Sequence, residues 1–303
     1  MSRDLEEPAR PVPAGVWCEA GSARAVIGAA IGAAVEQLDA ELPRAREGTD
    51  PEGVHQARVA TRRLRSDLRT FAPLLDDDWR VRTRAELAWL ADALGAVRDT
   101  DVLGIRLHAA FDAIEIDDRA AGSLLDVLQQ QGTVARQTLV EVIDDDRTGA
   151  LIAELHRRAM DPPTTLSAVG HAELRMRPLV RRPWRKLSRA VASLDDEPAV
   201  AELHRVRLLA KRTRYAAEAV VGVFGRDARR FVTAVRGIQD VLGDMNDAEV
   251  AIAWLREVSI DLDPTAAFAA GEAAHHFREV ADAHRHGWER SFRRATKRST
   301  WLS

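Results

Sequence analysis

Two basic segments of the sequence carry the residues that could do chemistry, and the chemistry they indicate is the binding of an anion. The first segment runs from Val54 to Phe71. At 100° per residue its cations fall within an arc of about 80° on one helix face, and apolar residues occupy the opposite face. The row comprises His55, Arg58, Arg62, Arg65 and Arg69.

Such a row is unfavourable for an isolated helix. Like charges three or four residues apart cost about 0.2–0.5 kcal/mol per pair, and no acidic residue is interleaved to offset them. The guanidinium group offers forked donors that match phosphate oxygens. An elongated anion lying along the row is therefore the simplest physical reason to maintain it.

A second row follows 149 residues later, between Leu203 and Val220. It comprises His204, Arg207, Lys211 and Arg214. Glu218 stands where the first row has Arg69, so the second row is shorter by one helical turn. Arg63 and its counterpart Arg212 lie off the arc, which assigns them to the rim of the site or to ion pairs between helices.

A third basic group precedes the second row on a helix of its own. Five cations cover an arc of about 100° on that helix: Arg175, Arg182, Arg185, Lys186 and Arg189. The matching helix of the first half carries Glu36 and Asp39 instead. We therefore expect a lopsided site, to which Arg182, Arg185 and Lys186 contribute.

A second motif repeats at nearly the same spacing. Leu94–Val102, LGAVRDTDV, is matched 148 residues later by Leu242–Val250, LGDMNDAEV. Two motifs at one spacing predict a tandem duplication. We expect the glycines to end one helix and the aspartates, Asp99 and Asp247, to cap the next. A metal ion held between these two carboxylates is the alternative.

Composition favours helices, because hydrophobic residues make up 46% of the 303 residues and aromatic residues only 5%. The predicted fold is all-α: two tandem antiparallel bundles of about four helices each, related by a pseudo-twofold axis around a basic cleft. The repeats cover residues 21–161 and 164–290 of a single domain. Residues 1–20 are expected to form an irregular arm, and residues 291–303 a basic tail.

Several functional classes are disfavoured by the sequence. The net charge of −3 argues against a globally basic nucleic-acid coat. No apolar run is long enough to span a membrane and no export signal is visible, so a cytoplasmic location is expected. No cofactor or metal is expected, since the histidines near the C-terminus lack ligand spacing and no P-loop, GxSxG or HExxH motif occurs.

The two HxxR rows and the two LGxx[RN]D motifs together resemble the CHAD family, over about residues 22–290. The resemblance implies paired four-helix bundles with a basic cleft that binds inorganic polyphosphate. It implies that the cleft is lined by His55, Arg58, Arg62, Arg63 and Arg65 together with His204, Arg207, Lys211, Arg212 and Arg214. Such domains often accompany a triphosphate-tunnel domain of the CYTH type, for which this sequence has no strand pattern.

The predicted function is non-catalytic binding of inorganic polyphosphate, in association with polyphosphate granules or a polyphosphate-metabolising enzyme. The first alternative is a phosphate- or polyphosphate-processing enzyme or its accessory subunit. The second is a helical nucleic-acid-binding protein. Nucleic acid is disfavoured as a partner, because few aromatic side chains accompany the cationic rows to stack on bases.

Overall fold

The computed structural model describes residues 21–303, and the irregular arm expected for residues 1–20 lies outside this range. Within it the chain forms α-helices, short 3₁₀ turns and no strand, so the predicted all-α class is confirmed. The helices are α1 (Ala23–Glu47), α2 (Pro51–Thr70), α3 (Asp77–Ile114), α4 (Asp118–Asp144), α5 (Asp146–Met160), α6 (Ala172–Ala192), α7 (Val200–Glu218), α8 (Val221–Val258), α9 (Pro264–Ala283) and α10 (Trp288–Arg298).

The first four helices of each half pack in the same order, and the fifth helices differ. In the first half α1 packs on α2, α2 on α3 and α3 on α4, and α5 lies against α1. In the second half α6 packs on α7, α7 on α8 and α8 on α9, and α10 lies against α8. The halves meet where α2 contacts α7 and where α9 contacts α3 and α4. One buried apolar cluster connects them all; the pseudo-twofold axis stays a prediction.

Acidic side chains begin many of these helices. The Asp50 carboxylate accepts the backbone N–H of Glu52 (2.8 Å) ahead of Pro51, the first residue of α2. Asp76 accepts from Trp79 at the start of α3 (2.8 Å), and Asp145 from Arg147 at the start of α5 (2.8 Å). These bonds satisfy backbone donors that have no partner inside the helix. The acidic clusters of the sequence thus set the helix boundaries.

The predicted interruption of the LGxx[RN]D motifs is wrong. Gly95 and Asp99 lie inside α3, and Gly243 and Asp247 lie inside α8, so neither glycine ends a helix and neither aspartate caps one. A glycine inside a helix costs roughly 1 kcal/mol relative to alanine. Packing of these long helices against their neighbours offsets that cost. Gly225, with a positive φ, interrupts α8 near its start, well before Gly243.

The C-terminal residues pack on the domain in place of the expected basic tail. Most of residues 291–303 belong to α10 and to a 3₁₀ turn over Thr300–Leu302. Ala295 and Leu302 are buried, and the ring of Phe292 lies 5.5 Å from that of Trp184 on α6. This segment therefore contributes to the core of the second half.

Asp67 is the buried ionisable residue of α2, with 2% of its surface exposed. The pKa of its carboxyl group is raised to about 7, mainly by burial. The positive charge of Arg63 lowers this pKa, and the negative charge of Glu218 raises it. The nearest Arg63 nitrogen lies 3.8 Å from the carboxylate, too far for a good hydrogen bond. Asp67 thus favours its protonated form in the folded protein.

We predict that Asp67→Asn flattens the dependence of stability on pH. Because the folded-state pKa is raised, the wild type binds this proton more tightly when folded and loses stability as the pH rises from about 4 to about 7. The loss is on the order of 3–4 kcal/mol in unfolding free energy. Urea unfolding at pH 5 and pH 8 should show Asp67→Asn to be the more stable form at pH 8. An equal fall in both proteins would contradict this.

Candidate polyanion-binding groove

A continuous groove, here called the basic groove, runs along the contact between α2 and α7. At one end it is closed by α3 and α8, and at the other it reaches α6. Arg62 and Lys211 line its first and central parts, and Arg69 and Arg212 line its central and last parts. The cationic or titratable basic side chains that line it are His55, Arg58, Arg62, Arg65, Arg69, Arg84, Arg98, Arg106, Arg182, Lys186, Arg207, Lys211 and Arg212.

The two central helices hold these cations in place through their opposite, apolar faces. On α2 the residues Ala57 and Leu64 are fully buried, and on α7 the residues Leu203 and Ala210 are fully buried. Because side chains recur on one face every three to four residues, burying one stripe directs the other stripe into the groove. Amphipathic packing therefore forces two rows of like charge to face each other.

Four of the predicted site residues lie outside this lining. Arg63 is exposed and faces Asp67, and Arg185 is exposed on α6. His204 is exposed, and its Nδ1–H donates to the side-chain oxygen of Asn246 (2.9 Å). Arg214 donates to Glu218 (2.8 Å) and to Gln239 (2.9 Å). The others named from the sequence are brought together in the groove.

Tyr215 is the aromatic side chain of the groove, and guanidinium groups cover its ring. Arg214 lies 4.5 Å and Arg62 lies 5.6 Å from the ring centroid, within the range of cation–π contacts. The ring therefore contacts two of the cations near the centre of the groove.

Carboxylates lie at one end of the groove and are engaged by its arginines. Asp99 forms an ion pair with Arg58 (3.1 Å), and Asp247 accepts a hydrogen bond from Arg106 (2.8 Å) and lies 3.9 Å from Arg207. These are the aspartates that the sequence assigned to helix caps. Their role in the fold is to fix guanidinium groups at the end formed by α3 and α8, here called the paired end.

The centre of the groove carries uncompensated positive charge. Over residues 21–303, no carboxylate lies within 4.0 Å of Arg65, Arg69, Arg84, Lys211 or Arg212. Burial lowers the pKa of Arg69, and Arg84, Arg212 and Arg65 lower it further. Burial also lowers the pKa of Lys211 to about 8, with Arg207, Arg62, Arg58 and Arg214 adding to the effect. Each shift means that a nearby anion would be favourable.

Buried hydrogen-bond donors point to the same requirement. The Nε atoms of Arg84 and Arg207 and the hydroxyl of Tyr215 are buried without a hydrogen-bond partner in the described part of the chain. All three side chains line the basic groove. Because an unsatisfied buried donor costs about 1–3 kcal/mol, these groups are suited to bind an acceptor.

His55 differs from the permanent cations around it. Burial lowers the pKa of its imidazole, and Arg98, Arg62 and Arg58 lower it further against the opposing effect of Glu52. The side chain is therefore neutral at pH 7. A bound anion would raise this pKa. In acid solution the protonated imidazole could then donate hydrogen bonds from both ring nitrogens.

Arg84, Arg98 and Arg106 were missed as site residues by reasoning from the sequence. All three lie on α3, where they share an arc of about 80°. That pattern becomes visible only when α3 is treated as one helix. The expected break at Gly95 divided it.

Comparison with known proteins places the chain in a family. The sequence model described as the CHAD domain matches residues 29–256, most of the chain. The chain belongs to the CHAD family. Membership supports a polyphosphate-related function in general, and the domains of this family are typically non-catalytic.

Two solved structures resemble this CHAD domain over nearly its whole length. PptA from Streptomyces chartreusis has 26% sequence identity and a TM-score of 0.70, covering 90% of this chain and 100% of its own. The CHAD domain from the plant Ricinus communis has 25% identity and a TM-score of 0.72, covering 95% and 96%.

Curated relatives include two Mycobacterium tuberculosis proteins named as uncharacterised, Rv2226 of strain H37Rv and MT2285 of strain CDC 1551. Each is 28% identical to this chain over 210 residues, which are 66% of this chain. The match spans 39% of the length of those relatives.

Two further properties bear on the candidate classes. Within residues 21–303 no three His, Cys, Asp or Glu side chains are grouped closely enough to hold a metal ion. None of the helices there combines the length and apolar character needed to cross a membrane.

Gly95 gives Arg58 its path to Asp99. A Cβ atom at Gly95 would lie 2.6 Å from the Nη1 atom of Arg58, closer than van der Waals contact allows. At Gly243, the matching position of α8, a Cβ atom would meet nothing within 4 Å. The first glycine thus serves the groove, whereas the second has no such neighbour.

We predict that Gly95→Ala displaces the Arg58 guanidinium from Asp99, with their separation exceeding 4 Å in a crystal structure. Gly243→Ala is the matched control and should only gain helix propensity, about 0.5–1 kcal/mol in unfolding free energy. The unfolding free energy should rise less in Gly95→Ala, because the Arg58 side chain must move to make room for the new methyl group. Equal gains in thermal unfolding experiments, with the Arg58–Asp99 pair intact, would show that Gly95 does not position Arg58.

Proposed function

We propose that this CHAD domain binds inorganic polyphosphate as an extended chain along the basic groove and catalyses no reaction on it. The observation that carries the proposal is the unpaired centre of the groove. There Arg65, Arg69, Arg84, Lys211 and Arg212 line the groove without a carboxylate within 4.0 Å among the described residues. Polyphosphate carries about one negative charge per phosphate, and its oxygens suit forked guanidinium donors.

The shape of the groove supports a linear ligand. Its three parts share lining residues and extend from α3 and α8, between α2 and α7, to Arg182 and Lys186 on α6. A single phosphate group would need only two or three of these cations. A row of this length favours a polymer of phosphates.

The carboxylates of the groove argue for binding over phosphoryl transfer. Enzymes of that class place metal-binding carboxylates beside the phosphate that reacts. Asp99 and Asp247 are instead paired with Arg58 and Arg106. This arrangement favours a binding domain over the enzyme alternative.

The state of Tyr215 argues against single-stranded nucleic acid. Stacking on exposed aromatic faces supplies much of the affinity for unpaired bases. Arg62 and Arg214 lie against the Tyr215 ring and would compete with a base for stacking on it. Duplex DNA or RNA would still be attracted by the charge and is the competitor that the experiment must include.

The remaining expectations about the cell follow from this proposal. We place the protein in the cytoplasm, in keeping with its single cysteine. Polyphosphate granules or a polyphosphate-metabolising enzyme are the proposed associates.

We predict that the combined variant Arg58→Ala, Arg62→Ala, Arg207→Ala and Lys211→Ala binds long-chain polyphosphate about 100- to 1,000-fold more weakly. Each cation lost removes on the order of 1 kcal/mol of net interaction, and 1.4 kcal/mol is a factor of ten. Binding should be titrated at several salt concentrations, with duplex DNA and duplex RNA as competitors.

The control variant loses the same number of positive charges at positions outside the groove. Its alanine substitutions replace four exposed arginines that do not line the groove: Arg229, Arg230, Arg293 and Arg298. This variant should keep its affinity within about threefold, since only long-range attraction is reduced. Equal losses in both variants, or displacement of polyphosphate by duplexes at equal phosphate concentration, would refute the proposal.

We predict that polyphosphate affinity falls about ten- to thirty-fold between pH 7 and pH 9.5. The pKa of Lys211 is about 8 in the free protein, and a bound polyanion raises it, so that binding takes up a proton in this range. Lys211→Arg keeps the charge and should make the affinity nearly constant over the same range. Isothermal titration in buffers of different ionisation enthalpy measures the proton uptake; the same pH dependence in Lys211→Arg would exclude Lys211 as its source.

A further inference from the structure

Lys211 occupies a central place in the basic groove. It lines both the paired end and the centre, and arginines on two helices surround it, Arg58 and Arg62 on α2 and Arg207 on α7. No carboxylate of residues 21–303 lies within 4.0 Å of its amine. The carboxylates in the same part of the groove, Asp99 and Asp247, are engaged by Arg58 and Arg106.

A lysine at this position is unusual for this chain. Of the 44 Lys and Arg residues, only Lys186, Lys211 and Lys297 are lysines. In the internal repeat Lys211 matches Arg62, so the second row replaces a guanidinium by an amine at its centre. An arginine there would keep its proton at any physiological pH, whereas a lysine can lose it and become a nucleophile.

The surroundings favour that loss. Burial and the four neighbouring arginines together lower the pKa of Lys211 to about 8. At pH 8 about half of the amine is therefore neutral, whereas an ordinary lysine is neutral to roughly 1% or less. The guanidinium groups keep their charge and can hold a phosphate beside the amine.

We propose that Lys211 is a site of acylation by acyl phosphates. The phosphate group of the donor binds to the arginines around Lys211, and the neutral Nζ attacks the acyl carbon. A C–N bond forms, the C–O bond to phosphate breaks, and inorganic phosphate leaves with the bonding electron pair. The nitrogen releases one proton to solvent, and the product is a neutral amide.

Acylation would change the groove in two ways. It removes the positive charge at the junction of the two parts that Lys211 lines, and it adds an uncharged group between Arg62 and Arg207. If the groove binds polyphosphate as proposed above, the affinity should fall about as far as in Lys211→Gln, which mimics the neutral amide. This consequence, unlike the acylation itself, rests on the proposed function.

The test is to incubate the full chain with acetyl phosphate between pH 7 and pH 10 and to quantify acetylation of each lysine by peptide mass spectrometry. Lys186, exposed at the α6 end of the groove, and Lys297, exposed on α10, are internal controls. We expect Lys211 to react at least tenfold faster at pH 8, with a rate that levels off above about pH 8.5. Added triphosphate should slow Lys211 and leave Lys297, which lies outside the groove, unchanged. Equal rates at all three lysines, or an unmodified Lys211, would overturn the proposal.

Two variants connect the reaction to the site. Arg62→Gln removes a phosphate-binding group without removing the amine and should slow acetylation of Lys211 several-fold, leaving Lys186 unchanged. Lys297→Arg, at a position on α10 outside the groove, should leave the rate at Lys211 unaltered. Polyphosphate binding by the unmodified protein is measured separately. Selective acetylation in a protein that fails to bind polyphosphate would refute the proposed function and support this inference, and binding without acetylation would do the reverse.

Discussion

Repulsion between two facing rows of cations is the constraint on which the rest of this structure depends. Arg58 and Arg62 on α2 face Arg207 and Lys211 on α7. The pKa of Lys211 is lowered first by burial and then by these neighbouring arginines. The apolar faces behind the rows supply the compensating free energy, because they are buried in one core that includes all ten described helices. The chain as a whole has a net charge of −3, yet the fold concentrates positive charge in this one groove.

The groove is not uniform along its length. At the paired end, Asp99 and Asp247 fix the orientation of Arg58 and Arg106. Toward α6 the cations lack carboxylate partners within residues 21–303, and two buried donors, on Arg84 and Tyr215, have no acceptor. Binding of an anion would thus release the most free energy in the centre of the groove. The paired end offers guanidinium groups that are already held in fixed positions. Lys211 lies at the boundary between the paired end and the centre. Its amine can exist in both protonation states near pH 8.

The parts of the site that the sequence could predict are those with helical periodicity in short segments. The rows of α2 and α7 were found because five and four residues recur on one face with no helix break between them. The all-α class followed from composition, which favours helices. The site residues that the sequence did not predict lie on α3. The break expected at Gly95 separated Arg84 from Arg98 and Arg106, although all three line the groove. Sequence reasoning cannot see that packing compensates a glycine inside a helix.

Tertiary contacts decide the remaining assignments. Arg63 and Arg214 belong to the repeated motif, yet one faces Asp67 and the other is held by Glu218 and Gln239. Asp99 and Asp247 have the residue type and spacing of helix caps, and only the path of α3 and α8 shows that they pair with groove arginines. Partners distant in sequence cannot be read from the spacing of one motif.

The most direct measurement of the central claim, that one groove binds one extended polyanion, is the affinity for polyphosphates of increasing chain length. Titration calorimetry at constant ionic strength should show tightening from triphosphate to longer chains and a plateau once a chain spans the groove. At the plateau one chain should be bound per protein molecule. If triphosphate binds as tightly as the long chains, or if several long chains bind each molecule, the groove does not act as a single elongated site.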